Sequence, residues 1–128
     1  MRNALLLGIL VIGGCRSMSG MEEERDSEEG TIKTYPLSKK KALDFAKIVM
    51  KEQGADSFKE TEDYVIGSFY VNLISPGSFC GVYPKETPAG CEVRVISRRK
   101  SSISIFTGLT EGGFHEAFEE KLKSETAK

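Results

Sequence analysis

The chain has 128 residues with 18 basic and 19 acidic side chains, a formal charge of −1, and 39% hydrophobic residues. That length corresponds to one domain large enough to bury a core of its own. A near-neutral, slightly acidic balance excludes the broad basic surface by which a protein takes nucleic acid or an anionic lipid face as its main partner.

The first stretch, MRNALLLGILVIGGC, places Arg2 before an apolar run from Ala4 to Ile12 and then the small residues Gly13 and Gly14. This has the form of a secretory signal: a basic start, an apolar segment of roughly 7 to 15 residues and a small-residue exit. Two further readings compete on the residues alone. Ser17-Met18-Ser19 offers a site for ordinary signal cleavage, and the apolar run could stay as an uncleaved anchor, although it is far below the ~20 residues that span a bilayer.

The four residues Ile12-Gly13-Gly14-Cys15 resemble the lipobox of bacterial lipoproteins. The resemblance covers this short stretch and carries no information about the fold downstream. It implies cleavage before Cys15, a diacylglycerol on its sulfur, and a stable anchor, since two or more acyl chains hold where one binds only marginally. Arg16, rather than aspartate, after the cysteine implies the periplasmic face of the outer membrane. Loss of residues 1–14, which include Arg2, leaves 114 residues with 17 basic and 19 acidic side chains, a charge of −2.

Three cysteines make an odd set for an exported chain. Lipidation of Cys15 would leave Cys80 and Cys91, which an oxidising compartment would pair. Closing a loop of about a dozen residues would contribute roughly 3 kcal/mol. The alternative is two buried, reduced cysteines packed as small hydrophobes. A structural zinc site wants four Cys or His ligands, and His115 is the one histidine, so no metal is expected.

Residues 15–34 carry six acids between Glu22 and Glu29 and little that is apolar. Such a stretch lacks the burial that would order it, so a disordered, solvated tether is expected there. The folded domain is expected over 35–123. Ser38 is placed to cap a helix whose Ala42, Phe45, Ala46, Val49 and Gln53 share one face, with Gly54 as its stop. The many lysines of this helix fall on its solvent side.

Residues 56–60 form a possible short strand before a stronger one over 64–73. In the latter, Val65, Phe69, Val71 and Leu73 share one face and Tyr64, Ile66 and Tyr70 the other. A partly covered tyrosine face is the candidate contact surface. Residues 84–90, PKETPAG, read as a loop between the two cysteines. Residues 92–98 and 102–107 then read as a hairpin, with Val93, Val95, Ile103 and Ile105 inward and a basic turn at Arg98, Arg99 and Lys100 that could add to the contact surface. A last helix starts around Thr110 or Gly112 and carries the stripe Phe114, Ala117, Phe118 and Leu122. His115 lies off that stripe, so exposure is its default state, and residues 124–128 should fray.

The expected fold is therefore α+β: a small antiparallel sheet of three or four strands with an N-terminal and a C-terminal helix on one face. Ser38 and Lys41 match S-x-x-K, but the companion S-D-N and K-T-G elements are missing, and a helix cap explains Ser38 better. No G-x-S-x-G, H-E-x-x-H or phosphate-loop motif occurs. The acid pairs Glu62-Asp63 and Glu119-Glu120 sit in polar surroundings. No catalytic residue and no cofactor is expected. The reading is a membrane-anchored, non-enzymatic accessory or interaction module of the cell envelope, with an envelope protein as partner. The alternative is a carrier or sensor of a small apolar ligand, with a cavity behind Phe45, Phe69 and Phe118. An enzyme with a site assembled from distant residues would instead show buried carboxylates.

Overall fold

The structure is a computed structural model that describes residues 18–24, 28–69, 77–100 and 109–126. Cys15 and the signal segment lie outside the described residues, as do Tyr70, Val71, Leu73 and the expected strand 102–107 with Ile103 and Ile105.

The chain is α+β with an antiparallel sheet. A short helix α1 (Met18–Glu23) precedes β1 (Thr31–Tyr35), α2 (Lys39–Glu52), β2 (Ser57–Glu60), β3 (Val65–Phe69), β4 (Ser78–Thr87), β5 (Gly90–Arg99) and α3 (Glu111–Thr126). The five strands lie in the order β1-β5-β4-β3-β2, every neighbouring pair antiparallel. The possible strand at 56–60 is present as β2. Among the described residues the sheet has five strands: β1 and β4 were not expected, and the expected strand 102–107 lies outside them.

Helix α2 forms where the capping chemistry places it. Ser38 Oγ accepts the Lys41 N–H at 3.2 Å, and the Glu86 carboxylate accepts the Lys39 N–H at 2.9 Å, meeting two of the free donors of the first turn. Gly54, at φ +107°, ends it. Its inward row is Ala42, Ala46, Val49 and Met50. Met50 takes the place expected for Gln53, which is exposed. Burying Val49 and Met50 stabilises by about 1.5–3 kcal/mol each.

Strand periodicity divides the core in two. Tyr35, Val65, Phe69, Cys80, Val82, Cys91, Val93 and Val95 share one cluster with α2 and with Leu109, Phe114 and Phe118. Their alternate neighbours Tyr64, Ile66, Phe79, Tyr83 and Ile96 form a second cluster with Met21 of α1. Register explains the split, since successive strand residues face opposite ways. Val82 is opposite Val65 and Val95 on one face, and Gly81 is opposite Ile66 and Ile96 on the other.

Three expectations are corrected here. The acidic stretch up to Thr34 is not wholly a tether: it supplies α1, with Met21 fully buried, and most of β1. Residues 84–90 are not a free loop but the end of β4, a tight turn and the start of β5, with Thr87 opposite Gly90. Pro84 is tolerated in the middle strand because the β3 ladder ends at Val82, so Pro84 faces no strand on that side.

The third correction is the disulfide. Cys80 and Cys91 are both free and buried. The hairpin sets Glu86 opposite Cys91 and Ser97 opposite Cys80, so the two cysteines are separated by the length of β4 between 80 and 86, about 20 Å. A disulfide needs Cα atoms within about 7 Å.

Candidate functional site

A connected set of polar side chains, His115 among them, lies where α3 crosses the edge strand β1. Along β1, Thr31, Lys33 and Tyr35 point to one side, about 6.7 Å apart. Along α3, Glu111, His115 and Glu119 recur every fourth residue, about 6 Å apart. The two spacings nearly match, so the rows lie side by side, Thr31 meeting Glu111 while Lys33 and Tyr35 cross over to Glu119 and His115. Thr31 Oγ1 donates to Glu111 Oε1 at 2.8 Å. Tyr35 Oη lies 2.7 Å from His115 Nδ1, and His115 Nε2 lies 3.0 Å from the Thr31 carbonyl oxygen. Lys33 Nζ pairs with Glu119 Oε2 at 3.0 Å.

Hydrogen-bonding roles follow from these partners. A carbonyl oxygen can only accept, so Nε2 carries the imidazole proton. Nδ1 is then the acceptor, and the Tyr35 hydroxyl donates to it. The same hydroxyl is 3.4 Å from Glu119 Oε2, but its one proton goes to the shorter bond. His115 is fully buried, which corrects the expectation of an exposed side chain. The ring of Phe114 next to it in sequence and that of Tyr35 enclose it.

The protonation states point the same way. Burial lowers the His115 pKa below 6.5; Lys33 adds to this, while the Thr31 carbonyl, Glu119 and Glu111 oppose it. Burial, and then Glu119, push the Tyr35 hydroxyl well above its ordinary value. The ammonium of Lys33 is the main reason Glu119 ionises more readily than usual. The centre is thus a neutral imidazole and a neutral phenol, both engaged, fastened at its rim by an ion pair. Chemically it is a latch between α3 and β1, with neither ring free to act as a nucleophile.

The expected contact residues fall differently. Tyr64 and Ile66 are buried, 5% and 0% exposed, so the tyrosine face is not an open patch; Met21 packs against it. Arg98 is in β5 rather than a turn, and pairs with Glu24 at 3.6 Å, with Glu29, and with Glu111 at 3.8 Å. Arg99 is exposed. Lys100 lies 5.1 Å from the centre of the Phe79 ring, and burial lowers its pKa. Ser38 is the cap of α2. Glu62 and Asp63 are exposed.

A cleft of about 450 Å³ opens between the start of α2 and the end of α3, lined by Pro36, Leu37, Ser38, Lys41, Phe45, Leu122 and Glu125. Phe45 borders it, whereas Phe69 and Phe118 belong to the packed core. Among the described residues, no group of three His, Cys, Asp or Glu is placed to hold a metal ion, and no helix is long and apolar enough to cross a membrane.

Two features escaped the sequence. Glu111, His115 and Glu119 do repeat at four-residue spacing, but nothing local tells that row from an ordinary polar face. Met21 stands with Met18 just ahead of an acidic run, with no apolar pattern around it. No protein-family model matches this chain, and no curated protein or solved structure gives a match.

Proposed function

We propose that this chain is a bacterial lipoprotein, held through Cys15 at the periplasmic face of the outer membrane, whose α+β domain is a non-enzymatic accessory module contacting another envelope protein. The observation that carries the proposal is the sequence Ile12-Gly13-Gly14-Cys15 behind a basic start and an apolar run. Support for a binding rather than a chemical role comes from the latch. Its imidazole and phenol are both neutral and both bonded within the fold, so they contribute to holding the fold rather than to attack on a substrate. In this reading α2 and α3 together shield one sheet face, and the opposite face, which Met21 of α1 covers, is the side turned toward partners.

Position strengthens the reading. Met21 is docked on the sheet only six residues after Cys15, and six residues reach at most about 20 Å. An anchor at Cys15 therefore holds the domain against the membrane surface for as long as α1 stays in place.

The test is intact mass and membrane fractionation of wild type and Cys15→Ser in the native host. Wild type should begin at Cys15 with added acyl mass and sediment with the membrane; the variant should lose the acyl mass. A variant that stays membrane-bound at the mass of the wild type, corrected for the substitution, would sink the proposal.

A further inference from the structure

The sheet face opposite α2 and α3 already holds a ligand, and the ligand is part of the chain itself. Residues 18–29 are rich in glutamate, a composition that does not order itself, and a six-residue helix such as α1 has no stability alone. Yet the described parts of this strap, residues 18–24 and 28–29, are docked. The Met21 side chain is fully buried in a socket formed by Tyr64, Ile66, Phe79, Tyr83 and Ile96. The Tyr83 hydroxyl donates to the Met21 carbonyl at 2.6 Å. A Cβ on Gly81 would stand 2.2 Å from that hydroxyl oxygen, so the bare glycine is what lets the Tyr83 ring lie along the sheet and reach the strap.

The rim is basic where the strap is acidic. Lys59 pairs with Glu22 at 3.1 Å, Arg98 with Glu24 at 3.6 Å and with Glu29, and Arg94 Nη1 donates to the Glu29 carbonyl at 3.2 Å. The face thus reads one apolar anchor, two main-chain carbonyls and a set of carboxylates. None of these contacts depends on the strap belonging to the same chain. The ion pairs are partly open to water, with Lys59 at 48% and Glu29 at 68% side-chain exposure, so salt weakens them. They hold the strap more loosely than the packed core holds α2 and α3.

We infer that this face is a peptide-docking groove for an acidic segment with a methionine-sized apolar anchor, and that the strap is its resident occupant, displaced by a partner segment of the same chemistry. This rests on the reading of the domain as an interaction module and names its surface and the class of its partner.

The probe is a fluorescent synthetic peptide of residues 18–29, titrated by anisotropy into the chain purified intact from its host. The Met21→Ala chain, with its own anchor shortened, should bind the peptide about tenfold more tightly than wild type, because the strap competes from within at high effective concentration. The same peptide with alanine in place of Met21 should bind neither chain. A second arm uses the exposed Lys59→Glu variant, which should prefer a peptide carrying Glu22→Lys over the unaltered peptide by about threefold. Equal binding of the methionine and alanine peptides, or no binding by either variant, would overturn the groove. A concentration-dependent dimer in sedimentation that Met21→Ala abolishes would overturn displacement by a foreign partner, since the occupant would then be a second copy. Lipid attachment plays no part in these readouts, so failure of the groove and failure of the anchor are told apart.

Discussion

Tyr35→Phe isolates the latch. The substitution keeps the ring, and with it the contacts to Phe118 and His115 at centroid separations of 4.7 and 5.9 Å. It removes only the hydroxyl that donates to His115 Nδ1 at 2.7 Å. His115 is 0% exposed, so water does not replace the lost donor and a buried acceptor is left alone. That penalty is about 1–3 kcal/mol, read as a lower urea midpoint at unchanged slope. His115→Phe in the Tyr35→Phe background removes the orphaned acceptor, so the two effects should fall short of additive by about 1 kcal/mol or more. The pH dependence has a definite sign. Because burial lowers the folded pKa of His115 below 6.5, the unfolded chain binds a proton that the folded chain refuses. Stability from this group is complete above about pH 6.5 and falls as the pH drops below it, down to the folded pKa. In Tyr35→Phe the neutral ring loses its bond, so the acid-side decline should be shallower. Coincident urea midpoints for Tyr35→Phe and wild type, together with full additivity in the double variant, would refute the latch.

Thiol chemistry checks the strands around the cysteines. Burial pushes the Cys80 thiol up to about 12 and raises that of Cys91, so neither should react with an aromatic disulfide reagent in the native chain. Both should react in denaturant without prior reduction, and labelling that required a reductant would contradict the β4–β5 register. Gly90→Ala checks the turn: Gly90 sits at φ +135°, and a Cβ there would stand 2.7 Å from the Tyr35 carbonyl oxygen. The cost should be about 1–3 kcal/mol in urea unfolding, and a variant as stable as wild type would refute the close approach of turn and β1.

Much of the scaffold was legible along the chain because its signals are local. The Ser38 cap, the i, i+3, i+4 row of α2 and the Gly54 stop are properties of consecutive residues, and the helix lies where they put it. The Phe114–Phe118 stripe and the Thr110 start of α3 are similar: Thr110 Oγ1 accepts the Gly113 N–H at 2.9 Å. Strand β4 was missed for the converse reason. Gly81, Pro84 and the PKETPAG run carry loop propensities, and only the neighbours on either side, β5 along its whole length and β3 as far as Val82, make them a strand. The expected disulfide failed through the same oversight, because residues close in sequence were separated by a hairpin instead of joined by a loop.

The sequence by itself determined the lipobox-like start, the α+β class and the two long helices, since each depends on residue type at short spacing. Only the tertiary structure decided the rest. That Met21, just ahead of an acidic run, is buried, that Tyr35 and His115 share a proton-bearing bond across 80 positions, and that Tyr64 and Ile66 face a socket rather than solvent all depend on which distant surface arrives opposite. Burial and pairing energies belong to both partners at once, and a local window contains only one of them.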